Sequence, residues 1–361
     1  MTLVSDDTAG RDVGPRIGVW ALEEGAFGSP HHPDDPHDAS WERIKGQVLL
    51  AEELGFDSTL IAQLFISPWG EEYDQGEAWS LAAALAALTE RIEIIAAIKP
   101  YAYPPAIAAK MALQIEEISK GRFAINFVNG WFVLEARRLG LQFYEHDERY
   151  DYGREWITIV RELLAGRPST FDGRWFRTDG YVPRPASRWR ERPRIYAGGE
   201  SPPARALVAD TVDTWFMNGQ PIERVAQLIE DVRARPRVGP PVTFGLSAFV
   251  IARETDEEAD EAHREAWEIG KSDAAEQAWL AAQVDPRVQM FQTYARYPHI
   301  GSNGGTAAGL VGSYDTVAER IRAFHELGIE LFMLQFQPFE DEMRRFAEHV
   351  MPRVRATSVS A

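Results

Sequence analysis

The sequence predicts an α/β protein, a TIM-type (β/α)8 barrel with insertions, and three observations carry that expectation. Short apolar runs alternate with amphipathic helical stretches, the rhythm of parallel strands joined by helical crossovers. Eight such runs are present, mostly short and rich in β-branched or aromatic residues, as strands buried on both faces should be. The 361 residues, 45% of them hydrophobic, are enough for one large core. Eight strands with interleaved helices fit a closed barrel better than two small open sheets.

In chain order the expected strands are Arg16–Trp20, Ser58–Ile61, Ile92–Ala97, Phe123–Val128, Arg194–Ala197, Thr214–Met217, Thr243–Ala252 and Leu331–Gln335. Residues 1–15 are polar and acidic with no apolar segment, and read as a loose tail rather than a signal peptide. The barrel domain is placed at 16–354 and a C-terminal tail at 355–361. The first helix starts after Ser40, a good N-cap, and sets Trp41, Ile44, Val48 and Leu49 on one stripe before stopping ahead of Gly55. Further helices are expected over Ala78–Leu88, Pro105–Ser119, Asp147–Leu164, Pro203–Asp210, Ile222–Ala234 and Thr316–Leu327, with Pro105 suited to a first turn.

Two stretches break the rhythm. Residues 169–184 contain FDGRWFRTDGY, a hairpin insertion turning at Asp172-Gly173. Between strands seven and eight the chain is far longer than a crossover needs. It holds a helix over Asp256–Ile269, a helical patch at Ala274–Gln283 and a glycine-rich tract, Gly301–Gly309. The insertion 271–311 reads as a lid at the catalytic end of the barrel. Its tract has four glycines and no bulky apolar anchor, so ordering it costs about 1–2 kcal/mol per residue. Mobility is expected there.

Composition removes several functions. A formal charge of −17 disfavours nucleic acid, and the five arginines of Arg184–Arg194 read as a solvated loop. No apolar run is long enough for a membrane-spanning helix. The absence of cysteine excludes disulfides, thiolate nucleophiles and cysteine-ligated metals, and is compatible with the cytoplasm, the expected compartment. There is no G-x-G-x-x-G for a nicotinamide cofactor and no G-x-S-x-G. Gly270-Lys271-Ser272 ends like a Walker A motif, but position 265 is Glu. The tract His31–Asp38 lacks the spacing of a ligand set, so no metal site is expected.

Barrel active sites form at the C-terminal ends of strands. Strand four ends in Asn126-Phe-Val-Asn129-Gly130-Trp131, where glycine permits close approach to a planar ligand and Trp131 offers a wall. Glu135 follows. His146-Asp-Glu-Arg149-Tyr150 opens a helix, where an arginine, a phenol and the helix terminus can together hold a phosphate. Strand five runs into Gly198-Gly199-Glu200-Ser201, a second turn suited to phosphate. Glu200 is an odd neighbour for a dianion.

GRFAINFVNGW, Glu135, HDERY, IYAGGES and GLVGSYDTVAERI, in that order, resemble the luciferase-like reduced-flavin-dependent monooxygenases from about Ile17 to Arg353. The nearest branches are the dimethyl sulfone monooxygenases, through FVIARET, and the pyrimidine monooxygenases that open the uracil ring, through VGSY. The resemblance implies reduced FMN as cofactor and O2 as co-substrate. It implies flavin contacts from Gln63, Leu64, Asn126, Asn129, Glu135, His146, Arg149, Tyr150, Gly199, Glu200 and Ser201. Arg149, Tyr150 and Ser201 would hold the phosphate; Asn126 and Gln63 would address the ring and, with Trp131, act at the reacting centre. Without a nicotinamide site, a separate NAD(P)H-dependent flavin reductase is implied.

The alkanesulfonate branch places an arginine and a histidine on strand seven, where this chain has Ser247 and Phe249, and a lid arginine where it has Asn303. A buried sulfonate wants a cationic partner. A neutral organosulfur compound or N-heterocycle is therefore expected, with Trp20, Trp69, Trp131, Phe249 and Phe336 as an apolar wall. Other readings are an alkanesulfonate monooxygenase, a deazaflavin-dependent oxidoreductase, a non-catalytic flavin binder and a metal-dependent hydrolase. The Ala- and Leu-rich helix Ala78–Leu88 has more apolar surface than the barrel wall needs, which points to a homodimer or homotetramer.

Overall fold

Backbone pairing turns the apolar runs into barrel staves. A computed structural model describes residues 14–355, so most of the two expected tails lies outside the described residues. Eight parallel strands close the barrel: β1 (Arg16–Trp20), β2 (Ser58–Ile61), β3 (Glu93–Ile98), β4 (Phe123–Phe127), β5 (Arg194–Ala197), β6 (Thr214–Met217), β7 (Thr243–Phe249) and β8 (Ile329–Gln335). Each pairs with its neighbours in chain order, and β8 closes on β1 with Val19 opposite Leu334. Nearly every stave residue is buried, which is why the runs are continuously apolar rather than alternating.

The helices sit where their caps start them. Ser40 accepts the Arg43 N–H ahead of Trp41–Glu53. Glu77 accepts the N–H groups of Trp79 and Ser80 at 3.0 and 2.7 Å ahead of Ala78–Leu88. That second helix buries Ala78, Trp79, Ala82, Leu85 and Ala86 against the barrel. Its outer stripe is Ser80, Ala84, Ala87 and Leu88, with Leu88 48% exposed. The hairpin forms as expected, Ser169–Asp172 pairing antiparallel with Arg177–Tyr181.

Strand seven is the first correction. The expected run Thr243–Ala252 breaks after Phe249, and Ile251–Arg253 leaves the barrel to pair in parallel with Val311–Ser313. The reason is topological. A long insertion must leave and return at one place, and this ribbon satisfies the backbone groups of both connections. Inside the insertion lie helices Asp256–Gly270, Ala274–Ala281 and Gln289–Arg296. The first carries a capping box between Thr255 and Glu258. The third was not foreseen.

The glycine tract is the second correction. It is stitched down rather than free: Gly219 N–H donates to the Asn303 carbonyl at 2.8 Å, Ser302 N–H to Gln335 Oε1 at 3.0 Å, and Thr306 N–H to the Ile300 carbonyl at 3.0 Å. Gly304 lies against the Gly219 backbone and Gly305 against the Ile300 carbonyl, both at positive φ, so neither position has room for a side chain. Close approach, not flexibility, explains these glycines. Among the described residues no helix is long and apolar enough to cross a membrane.

Candidate active site

A cavity of about 890 Å³ opens at the C-terminal mouth of the barrel. Its floor comes from strand ends: Trp20, Gln63, Lys99, Asn126, the Gly198–Ser201 turn and Ser247. Its roof comes from the insertion, through Leu280, Phe291, Tyr294 and Asn303 among others. The volume lies toward the top of the roughly 300–1,000 Å³ usual for cofactor and ligand sites.

Trp131 anchors roof to floor. It stacks on Phe132 at 5.1 Å and meets the edge of Phe291 at 5.6 Å. Backbone bonds from Asp285 N–H to Trp131 O and from Val133 N–H to Gln283 O reinforce the seam. Trp20 donates its indole N–H to Ser247 Oγ at 3.1 Å, and Trp69 donates to the Ala26 carbonyl at 3.3 Å. Trp20 and Trp69 therefore face the cavity with their indole N–H groups occupied, and all three tryptophans offer apolar faces toward a ligand.

The polar floor is partly spent and partly open. Gln63 accepts the Lys99 N–H at 2.7 Å and donates to the Tyr103 hydroxyl at 3.2 Å, leaving one amide hydrogen to spare. Asn126 Oδ1 and Asn129 Oδ1 are buried and accept no hydrogen bond from any described residue. An orphaned buried acceptor is normally answered by a ligand or water. After β5, Gly199 at φ +102 turns the chain, and the N–H groups of Gly199, Glu200 and Ser201 have no acceptor among the described residues. These amides form an anion-binding nest, with the Ser201 and Tyr150 hydroxyls, hydrogen-bonded to each other at 3.1 Å, beside it. Pro202 and Pro203 bring no N–H, so the nest rather than the helix terminus supplies the donors. Glu200 turns its carboxylate away, accepting Asn218 N–H and Gln220 Nε2 at 2.9 Å each, and burial pushes its carboxyl up.

Several expected residues lie elsewhere. Arg149 does not line the cavity: its guanidinium donates to Asp285 Oδ2 and the Tyr144 carbonyl, both at 2.9 Å, and covers the Phe143 ring. It clasps the insertion to the barrel. His146 bonds Asp147 at 2.7 Å and packs on Tyr150, one layer behind the cavity. Phe249 is packed beneath Gly301, and Phe336 sits among Phe339 and Phe346; both are core. Glu135 is fully buried beneath the floor, accepting the Phe65 N–H at 2.7 Å and the Tyr101 hydroxyl at 3.0 Å and pairing with the Lys99 ammonium. Gln63, Leu64, Asn126, Asn129, Trp131, Tyr150, Gly199, Glu200, Ser201, Trp20, Trp69, Ser247 and Asn303 converge on the cavity.

The luciferase-like monooxygenase family matches residues 22–331. The chain belongs to that family. FMNH2-dependent dimethylsulfone monooxygenases of Pseudomonas fluorescens (strain Pf0-1) and Pseudomonas putida are 35% and 33% identical to it, over 86% and 88% of both chains. A crystal structure of riboflavin lyase with modified FMN and riboflavin superposes with a TM-score of 0.79 at 19% identity, covering 96% of this chain and 93% of that one. That likeness is of fold. Within the family's barrel, the residues here that sequence reasoning missed are Lys99 and Glu24. Lys99 stands just past the end of β3 and Glu24 in the loop after β1, and a charged residue in such a loop was the available signal.

The histidine tract diverges in space. His31 reaches Glu276 at 2.8 Å while His37 reaches the Asp74 carbonyl at 3.1 Å. Among the described residues no group of three or more His, Cys, Asp or Glu converges as a metal site would require.

Proposed function

We propose that the protein is the oxygenase half of a two-component system, using reduced FMN and O2 on a small neutral substrate. A sulfone-like organosulfur compound is favoured, with an N-heterocycle second, and C–S or C–N cleavage as the outcome. The observation that carries this reading is a single cavity joining an anion nest to an apolar chamber with no uncommitted cation. No arginine lines it; its buried lysine, Lys99, is neutralised by Glu135, and Lys271 stands at the solvent-exposed rim beside Glu268. A buried sulfonate would find no partner.

The donor set fits FMN. The Gly199–Ser201 amides with the Ser201 and Tyr150 hydroxyls would take the phosphate, in place of Arg149. Asn126 Oδ1 offers an acceptor, and Gln63 its spare N–H, to the edge of a planar ring. Bound there, reduced FMN supplies the electrons by which one atom of O2 enters substrate and the other leaves as water. The tryptophans and the Leu280, Phe291 and Tyr294 roof exclude bulk water from that chemistry. The sequence carries no glycine fingerprint for a nicotinamide cofactor, which supports delivery of reduced flavin by a separate reductase. The cytoplasm is the proposed setting, with which the cysteine-free composition is compatible.

Oxygen uptake with reduced FMN is expected to yield product from dimethyl sulfone and none from a matched alkanesulfonate. Product from reduced deazaflavin without O2, or a preference for the sulfonate, would overturn the reading. Assembly as a homodimer or homotetramer is proposed through the Ser80, Ala84, Ala87 and Leu88 stripe. Light scattering at micromolar concentration is expected to give at least twice the 40.6 kDa chain mass, and a monomer mass removes this part of the proposal.

A further inference from the structure

Glu23 and Glu24 lie in the turn after β1, beyond Ala21 and Leu22, and both side chains are buried. Glu23 is accounted for on one side: its Oε1 accepts the Ala62 N–H at 2.7 Å, while Oε2 is buried without a partner. Glu24 is different. It is 6% exposed, it lines the cavity, and its carboxyl makes no hydrogen bond to any described residue. A carboxyl placed at the reaction chamber with nothing to bond is a group held ready for a ligand.

The groups sharing the chamber decide its form. Tyr294, on the roof, already uses its oxygen to accept the Asn303 N–H at 2.7 Å, and its phenol is pushed up by burial and further by Glu24 and Glu200. His299, packed on Tyr294, is pushed down by burial and so is uncharged near neutral pH. Asp273 is pushed up by burial and bonded to Ser29; Glu200 is bonded to Asn218 and Gln220. Lys271 faces Glu268 and Lys99 faces Glu135. The neighbouring Glu23 carboxyl, itself pushed well up by burial and by Glu24, adds repulsion. No buried cation is left to stabilise an ionised Glu24, and burial raises its carboxyl to about 8.

We propose that Glu24 is the specificity-determining residue of the chamber, donating a hydrogen bond from its carboxylic acid to an oxygen of an uncharged substrate. The substrate class is thereby one bearing a sulfonyl, sulfinyl or carbonyl oxygen, with an apolar remainder against Trp20 and Phe27. This rests on the proposed monooxygenase reading and adds to it the group that recognises the substrate. The sign of the pH dependence follows. Below about 8 the acid is protonated and donates; above it the carboxylate repels an oxygen acceptor, so kcat/KM for a sulfone falls as pH rises through that value.

The experiment uses the full-length protein, reduced FMN and dimethyl sulfone, with Glu24→Gln and Glu24→Leu. Glutamine keeps a neutral donor, so KM is expected to stay within about threefold of wild type while the fall in kcat/KM above pH 8 disappears. Leucine keeps bulk but no donor, and KM is expected to rise roughly tenfold with a smaller change in kcat. FMN affinity, read by flavin fluorescence, should be the same in all three. Equal KM increases in both variants would mean that an ionised carboxylate acts; an unchanged KM in the leucine variant would mean no contact. Infrared difference spectra of the wild type at neutral pH separate this from the activity itself. The protonated-carboxyl band lost in Glu24→Gln should shift on adding dimethyl sulfone. A shift without turnover keeps the contact and removes the proposed activity; no shift removes the contact.

Discussion

Replacing Glu135 with alanine is expected to destabilise the protein by about 3–5 kcal/mol, the usual result of breaking a buried ion pair by removing one partner. Lys99 is 2% exposed at the cavity floor, and its ammonium faces the fully buried Glu135. Without the carboxylate that cation has no counter-charge, and the Phe65 N–H and Tyr101 hydroxyl lose their acceptor as well. Burial already pushes the Lys99 ammonium below its ordinary range, so the variant should shed the proton and grow less unstable as pH rises. Urea denaturation at neutral and alkaline pH reads both effects. The double change Lys99→Met with Glu135→Leu is expected to recover most of the loss, because it removes the charge as well as its partner. A single-variant cost under about 1 kcal/mol would show that water reaches the pair.

The second large effect concerns the clasp between barrel and insertion. Arg149 and Asp285 are 4% and 6% exposed and meet at 2.9 Å, joining the helix His146–Leu164 to the segment that roofs the cavity. Arg149→Ala and Asp285→Asn should each loosen the roof, admit water and raise the hydrogen peroxide released per substrate oxidised several-fold. FMN affinity should change by less than about threefold in both, since the Gly199–Ser201 nest stays intact. The two variants also separate the roles the arginine can have. If Arg149→Ala alone weakens FMN by roughly tenfold or more, the size of a charge-assisted hydrogen bond, the guanidinium reaches the phosphate. Unchanged coupling in both would remove the clasp.

Particular residues show how far local pattern reaches. Ser40 and the turn at Asp172-Gly173 act on groups a few residues away, so that cap, most of the helices and the hairpin were legible in the sequence. The buried staves were legible too, because continuous burial on both faces demands continuous apolarity. Asn126, Trp131, Tyr150 and Ser201 could be singled out since they stand where a barrel opens, at or after strand ends or near the start of a helix. Gly304 and Gly305 were misread as flexible: glycine looks the same whether it is chosen for freedom or for a backbone pressed against Gly219 and Ile300.

By itself, then, the sequence determined the strand order, the helix starts, the family, and the exclusion of thiol chemistry. It did so because hydrophobic period, capping and composition are written over short spans. Only the tertiary structure decided which charges are spent. Arg149 meets Asp285 and Lys99 meets Glu135, while Glu24 has no hydrogen-bond partner among the described residues, and each outcome depends on barrel closure and the returning insertion bringing distant segments together. Coulomb interaction and desolvation act through space, with no imprint on neighbouring positions in the chain, so a phosphate-binding arginine and a clasping one have the same local signature.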